Sequence, residues 1–145
     1  MGHLNNARYI DYMLNAREDH LRDAYQISLS SFAKKGVGWV VTSHEIQYIR
    51  PAVYNERVCI VSILIETKEC SITVEMVMYD EKQQQIKAVL WTTFTHISIK
   101  TGKRAAHEPE FQHFLESVTI NMNSGAGLKV RVAELIAGLK TPAGQ

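Results

Sequence analysis

One unbroken amphipathic run followed by four long β-rich segments constrains this chain more than any other feature. From Asn5 to about Tyr25, Ala7, Ile10, Met13, Leu14, Leu21, Ala24 and Tyr25 recur by threes and fours, with no glycine or proline between them. That spacing predicts a helix with one apolar stripe. Asn5 or Asn6 suits its N-cap, because a side-chain oxygen there accepts from the free amides of the first turn. Glu18 and Arg22 on the polar side form a favourable i,i+4 pair.

After Lys34-Lys35-Gly36 the residue types become those of β structure: Gly38–Arg50, Val58–Thr67, Ser71–Tyr79 and Gln85–Lys100. Connections this short make the strands antiparallel neighbours, since a parallel crossover needs a dozen or more residues. Shorter helices are expected at Glu108–Val118 and Leu128–Leu139, with a polar linker at Asn121–Gly127. The sheet needs an apolar object on one face, and only the long helix matches its length. A curved sheet wrapped around a central helix, in the α+β class, satisfies that need. In the last strand Ile86, Ala88, Leu90, Thr92 and Phe94 fall on one face, and Val89, Trp91 and Ile97 on the other. Both faces are partly apolar, so the face away from the helix is expected to form an oligomer interface.

The chain has 145 residues, enough for one core. Its net charge of +1 gives no electrostatic reason to expect nucleic acid or an anionic membrane as partner. Cys59 and Cys70 show neither a CxxC nor zinc spacing and read as reduced thiols of a cytoplasmic protein. No signal peptide or membrane-spanning run is visible. His20, His44, His96, His107 and His113 make no HxH or HExxH arrangement, so no metal is expected. Neither a GxSxG elbow nor a glycine-rich phosphate loop occurs, and no cofactor is expected.

Gly2-His3-Leu4-Asn5-Asn6-Ala7-Arg8-Tyr9 resembles the D-x-x-G-H-x-N-N-x-x-Y signature of the 4-hydroxybenzoyl-CoA thioesterase-like hotdog family. Tyr48-Ile49-Arg50-Pro51 with Tyr54-Asn55-Glu56, and Ile99-Lys100-Thr101-Gly102-Lys103, are similar to two later strand ends of that family. The resemblance runs from residue 2 to about Phe111. It implies a hotdog fold over residues 1–117, with 118–145 as a C-terminal extension. It also implies at least a dimer, with acyl sites at the subunit boundary, and hydrolysis of an acyl-CoA or acyl-carrier-protein thioester. The family's aspartate, three residues before the glycine, and its first edge strand have no counterpart here. An internal start or a truncation is the expected reason, ahead of a shortened relative.

A helix beginning near Asn5 presents unpaired amides and the positive end of its dipole to a thioester carbonyl. The Asn6 amide is the candidate oxyanion donor, within a catalytic motif of Gly2, His3, Asn5 and Asn6. His3 is the titratable group beside the helix start and would order water or substrate, or act as base. Asp11, Glu18 and Asp19 lie further along. Tyr9, Arg50, Arg57 and Trp91 are candidate substrate-binding residues. Lys100, Lys103 and Arg104 join the two arginines as possible phosphate contacts, and Trp39 and Phe94 are either acyl-pocket lining or general core. No D-x-N-P-x-H stretch is present, which argues against hydratase chemistry. The rivals are a non-catalytic acyl-binding or assembly module, and an acyl-transfer or dehydratase enzyme on the same fold.

Overall fold

A computed structural model describes Met13 and residues 35–53, 56–120, 122 and 124–139. The helix expected over Asn5–Tyr25 lies outside the described residues except at Met13, which is helical and wholly buried. Four strands follow: β1 (Val37–Tyr48), β2 (Val58–Thr67), β3 (Ser71–Asp80) and β4 (Ile86–Ser98). Two α-helices come after them among the described residues, α1 (Pro109–Val118) and α2 (Leu128–Leu139). Each stands where its residue pattern places it. The sheet is antiparallel throughout, in the order β1-β4-β3-β2.

The order corrects one expectation. β1 and β2 follow one another in sequence yet occupy opposite edges. Three strand spacings amount to about 14 Å, well within reach of the intervening residues. Lys87 anchors this crossover. Its carbonyl accepts from the amides of Ile49 (2.9 Å) and Arg50 (3.1 Å). Its buried ammonium meets Glu56 at 3.1 Å and donates to the Pro51 carbonyl at 3.3 Å. Lys87 can do this because it is the extra residue of a bulge, where Met78 pairs with Ala88 and Tyr79 with Ile86.

The same bulge corrects the alternation in β4. Ile86 packs with Val89 and Trp91, not with Ala88 and Leu90. The inner face holds Val74, Met76, Met78, Ala88 and Leu90, packed against Met13 and Leu115. The outer face holds Ile65, Val77, Ile86, Val89 and Trp91, packed against Leu128 and Val132 of α2. The outer apolar surface, expected from the strand pattern to be left bare, is instead covered by this chain's own C-terminal helix. Beyond α2 the outer face turns to hydroxyls, with Thr42 paired to Thr95 (2.9 Å) and Thr73 to Thr93 (3.1 Å).

A charged pin fixes α2. Glu75 sits mid-strand on the outer face and is 1% exposed. Arg131 donates from Nε to its Oε2 (2.8 Å) and from Nη2 to its Oε1 (3.0 Å), while Trp91 Nε1 donates to Oε2 (3.0 Å). This bidentate pairing keeps the Arg131 guanidinium firmly charged. The chain reaches the outer face by passing the β2 edge, where the Ile120 amide donates to the Leu64 carbonyl (2.8 Å) beside the β2 bulge.

At the far end of the sheet the chain leaves β4 through a turn at Gly102, whose φ of +70° suits glycine. It returns antiparallel, with the Ala105 amide donating to the His96 carbonyl at 2.9 Å. His107 is then enclosed by Trp39, His96 and Phe111, at ring-centroid distances of 5.2, 5.2 and 6.1 Å. It is 6% exposed, and among the described residues neither ring nitrogen has a partner in good hydrogen-bond geometry. Burial, then the nearby His96, pushes its pKa below the ordinary value; the backbones of Ser71 and Lys68 oppose this.

Two predictions follow from these contacts. Arg131→Ala leaves the Glu75 carboxylate buried without its counter-charge, and should cost about 3–5 kcal/mol in denaturant unfolding. A double replacement by leucine at 75 and 131 should cost less than that single change. For His107, the folded state takes up its proton at lower pH than the unfolded chain. Stability should therefore be intact above the ordinary value of 6.5 and decline as pH falls below it. Denaturation midpoints between pH about 7.5 and 5 should fall less in His107→Phe than in the native chain.

Candidate active site

The expected catalytic motif of Gly2, His3, Asn5 and Asn6 lies outside the described residues, as do Tyr9, Asp11, Glu18 and Asp19. The described residues provide the sheet. Its inner face carries the core that includes Met13, and β1 is one of its edges.

The register places Val41, His44, Ile46 and Tyr48 of β1 on that inner face, opposite Phe94, Thr92, Leu90 and Ala88. Val41 is 43% exposed and Tyr48 40%. His44 is exposed too, and its Nδ1 lies 2.9 Å from Oγ1 of Thr92, which is wholly buried. Either atom can be the donor, according to the imidazole tautomer. The strip is thus apolar, open and interrupted by one anchored imidazole. Nothing in the spacing of His44 singled it out; the signal was the parity of Thr92 within the apolar face of β4.

The candidate substrate contacts disperse. Arg50 and Arg57 lie where β1 ends and β2 begins. Both are exposed, and Arg57 faces Glu81 at 3.7 Å. Lys100, Lys103 and Arg104 follow the far end of β4, and at roughly 3.3 Å per residue the two ends of that strand are about 35–40 Å apart. The two basic groups therefore serve different ends of the sheet. Trp91 is on the outer face beneath α2, 8% exposed, with its indole N–H committed to Glu75. That position gives it a part in docking α2. Trp39 and Phe94 do lie on the inner face, partly buried against the core.

Sequence reasoning passed over Glu75, Arg131 and Lys87. A lone carboxylate inside Ser71–Asp80, where apolar residues fall on both faces, was a readable sign of a buried partner. The loop after β1 shows related electrostatics. The amide of Val53 donates to Glu56 Oε1 (2.9 Å), and with Lys87 this holds the Glu56 carboxyl below its usual range. Among the described residues no group of three or more His, Cys, Asp or Glu side chains is placed to hold a metal ion. No described helix is long and apolar enough to cross a membrane.

Comparison with known proteins adds the family. The model of the thioesterase-like superfamily matches residues 1–115. The long-chain acyl-CoA thioesterase FadM of Escherichia coli (strain K12) is 33% identical over 116 residues, covering 80% of this chain and 86% of that protein. Among solved structures, the probable thioesterase YbaW from Escherichia coli aligns with a TM-score of 0.68 at 32% identity, over 82% of this chain and 88% of that one. The DHNA-CoA thioesterase from Staphylococcus aureus shares the fold at 19% identity, with a TM-score of 0.72 over 92% of this chain and 83% of that one. The antiparallel sheet, with helices on both its faces, is thus the hotdog fold, and the chain belongs to the thioesterase-like superfamily.

Proposed function

We propose that this chain hydrolyses acyl-CoA thioesters to the free acid and coenzyme A thiol. The observation that carries the proposal is the likeness to FadM, which runs through four-fifths of the chain at 33% identity. A free carrier-protein thioester is chemically the same substrate, and the two differ in what surrounds the phosphopantetheine. The amide of Asn6 at the helix start polarises the carbonyl and stabilises the oxyanion. Gly2 and Asn5 shape that turn, and His3 holds the acyl group or a water there. Tyr9 and Arg50 contact the substrate, Arg50 through phosphate.

We place residues 1–117 in the thioesterase unit, with 118–145 an extension that carries α2 to the outer face. The working form is a homodimer in the cytoplasm, joined along β1. Two features support this choice of edge. The β2 margin is engaged by the Ile120 amide, whereas β1, at the opposite edge of the sheet, exposes the apolar side chains of Val40 (40%) and Val41.

Thiol release from short, long and aromatic acyl-CoAs, with the reactivity of Cys59 and Cys70 subtracted, tests the hydrolase reading. Turnover of at least one class is expected, and a folded sample that releases no thiol from any of them contradicts it. Asn6→Pro removes one backbone N–H at a position where a helix start accepts proline, and should lower kcat by about 10²–10³-fold. His3→Ala should lower kcat/KM with the fold intact by circular dichroism.

A further inference from the structure

Thr92 is a polar side chain, wholly buried in the apolar inner face between Leu90 and Phe94. A buried hydroxyl in such a row is costly unless it is hydrogen-bonded. Its partner is the exposed imidazole of His44, one strand nearer the edge, at 2.9 Å. The pair therefore runs from the core to the surface and fixes the ring through Nδ1. Nε2, on the opposite side of the ring, has no hydrogen bond among the described residues. His96, the other inner-face histidine of the sheet, is 3% exposed, with its Nδ1 2.8 Å from the Ala105 carbonyl oxygen. His44 is thus both anchored and open.

Its surroundings suit a proton acceptor for an acyl substrate. Val41, Ile46 and Tyr48 on the same face offer apolar surface on either side of the ring. On β4 the facing residues Leu90, Thr92 and Phe94 carry no charge, and on β1 Tyr48 is the other titratable group of that face. An anchored imidazole with one free nitrogen is the usual form of a general base working near neutral pH.

We propose, building on the hydrolase reading above, that His44 is a catalytic residue of the thioester hydrolysis and that Thr92 is its positioning residue. Thr92 Oγ1 accepts from Nδ1–H, which leaves the Nε2 lone pair facing the substrate. Nε2 takes a proton from water as the water oxygen bonds to the thioester carbonyl carbon. The tetrahedral intermediate then collapses, the C–S bond breaks, and the thiolate leaves with the proton returned by the imidazolium. Acid and thiol are released, and the ring ends as it began.

Steady-state kinetics with palmitoyl-CoA on the full chain, together with NMR of the imidazoles, tests this. His44→Gln should lower kcat by about 10²-fold, leave KM within about twofold and abolish the acidic limb of the kcat–pH profile. Thr92→Val should lower kcat by about tenfold, and Thr92→Ser should recover most of it. Unfolding midpoints and oligomer size near those of the native chain show that the variants fold. An S-alkyl coenzyme A thioether, which cannot be hydrolysed, should shift the His44 ring signals and leave those of exposed His113 in place. A His44→Gln enzyme with unchanged kcat and acidic limb overturns the proposal, as does a His44 signal that ignores the thioether. Absence of thiol release by the native chain, with the His44 signal shifting, overturns the hydrolase reading and the base role while leaving the contact standing.

Discussion

β3 and β4 are apolar on both faces, and the rest of the molecule answers that constraint. A strand with Val74, Met76 and Met78 on one side and Val77 on the other cannot leave either side in water without losing the main driving force of folding. The inner face takes Met13 and the α1 residues Phe111, Phe114 and Leu115. The outer face takes α2, and the buried Glu75–Arg131 pair sets where that helix lies. An ion pair of this kind adds little net stability over an apolar packing, but it penalises any position of α2 that leaves Glu75 alone. The pin thus acts as a register mark for the outer layer.

Function divides along the same line. The outer layer is closed by α2 over its apolar half, and its remaining half is a ladder of threonine hydroxyls. The inner layer packs against Met13 and the apolar side of α1. Within the described chain, the inner side of β1 presents exposed apolar side chains around one anchored histidine. Chemistry on an acyl group needs an apolar surface beside a few oriented polar groups, and in the described residues that combination lies on the inner side of β1.

Most of the architecture was legible because its signals are local. Strand and helix boundaries followed from β-branched runs, from Pro51 and from the glycine at 102, and the ends observed differ by only a few residues. What escaped depends on contacts between distant residues. The placement of β1 beside β4 needs the crossover held by Lys87, and the displacement of Ile86 to the outer face needs the same bulge. No period-two count can anticipate an inserted residue. The part of α2 was open for a similar reason: Leu128 and Val132 are an ordinary apolar stripe until Glu75 is known to lie beneath Arg131. Of the site, the helix-start motif was readable as a sequence pattern. The pairing of His44 with Thr92, forty-eight residues apart, appears only once the strands are in register.

The account rests on the inner face being the acyl-binding side, and a crystal structure of the full chain with the hydrolysis-resistant acyl-CoA thioether tests that most directly. It should show the acyl group against the inner side of β1, with the thioether sulfur directed to the start of the N-terminal helix. An acyl group lodged between α2 and the outer face, beside Trp91, would contradict it.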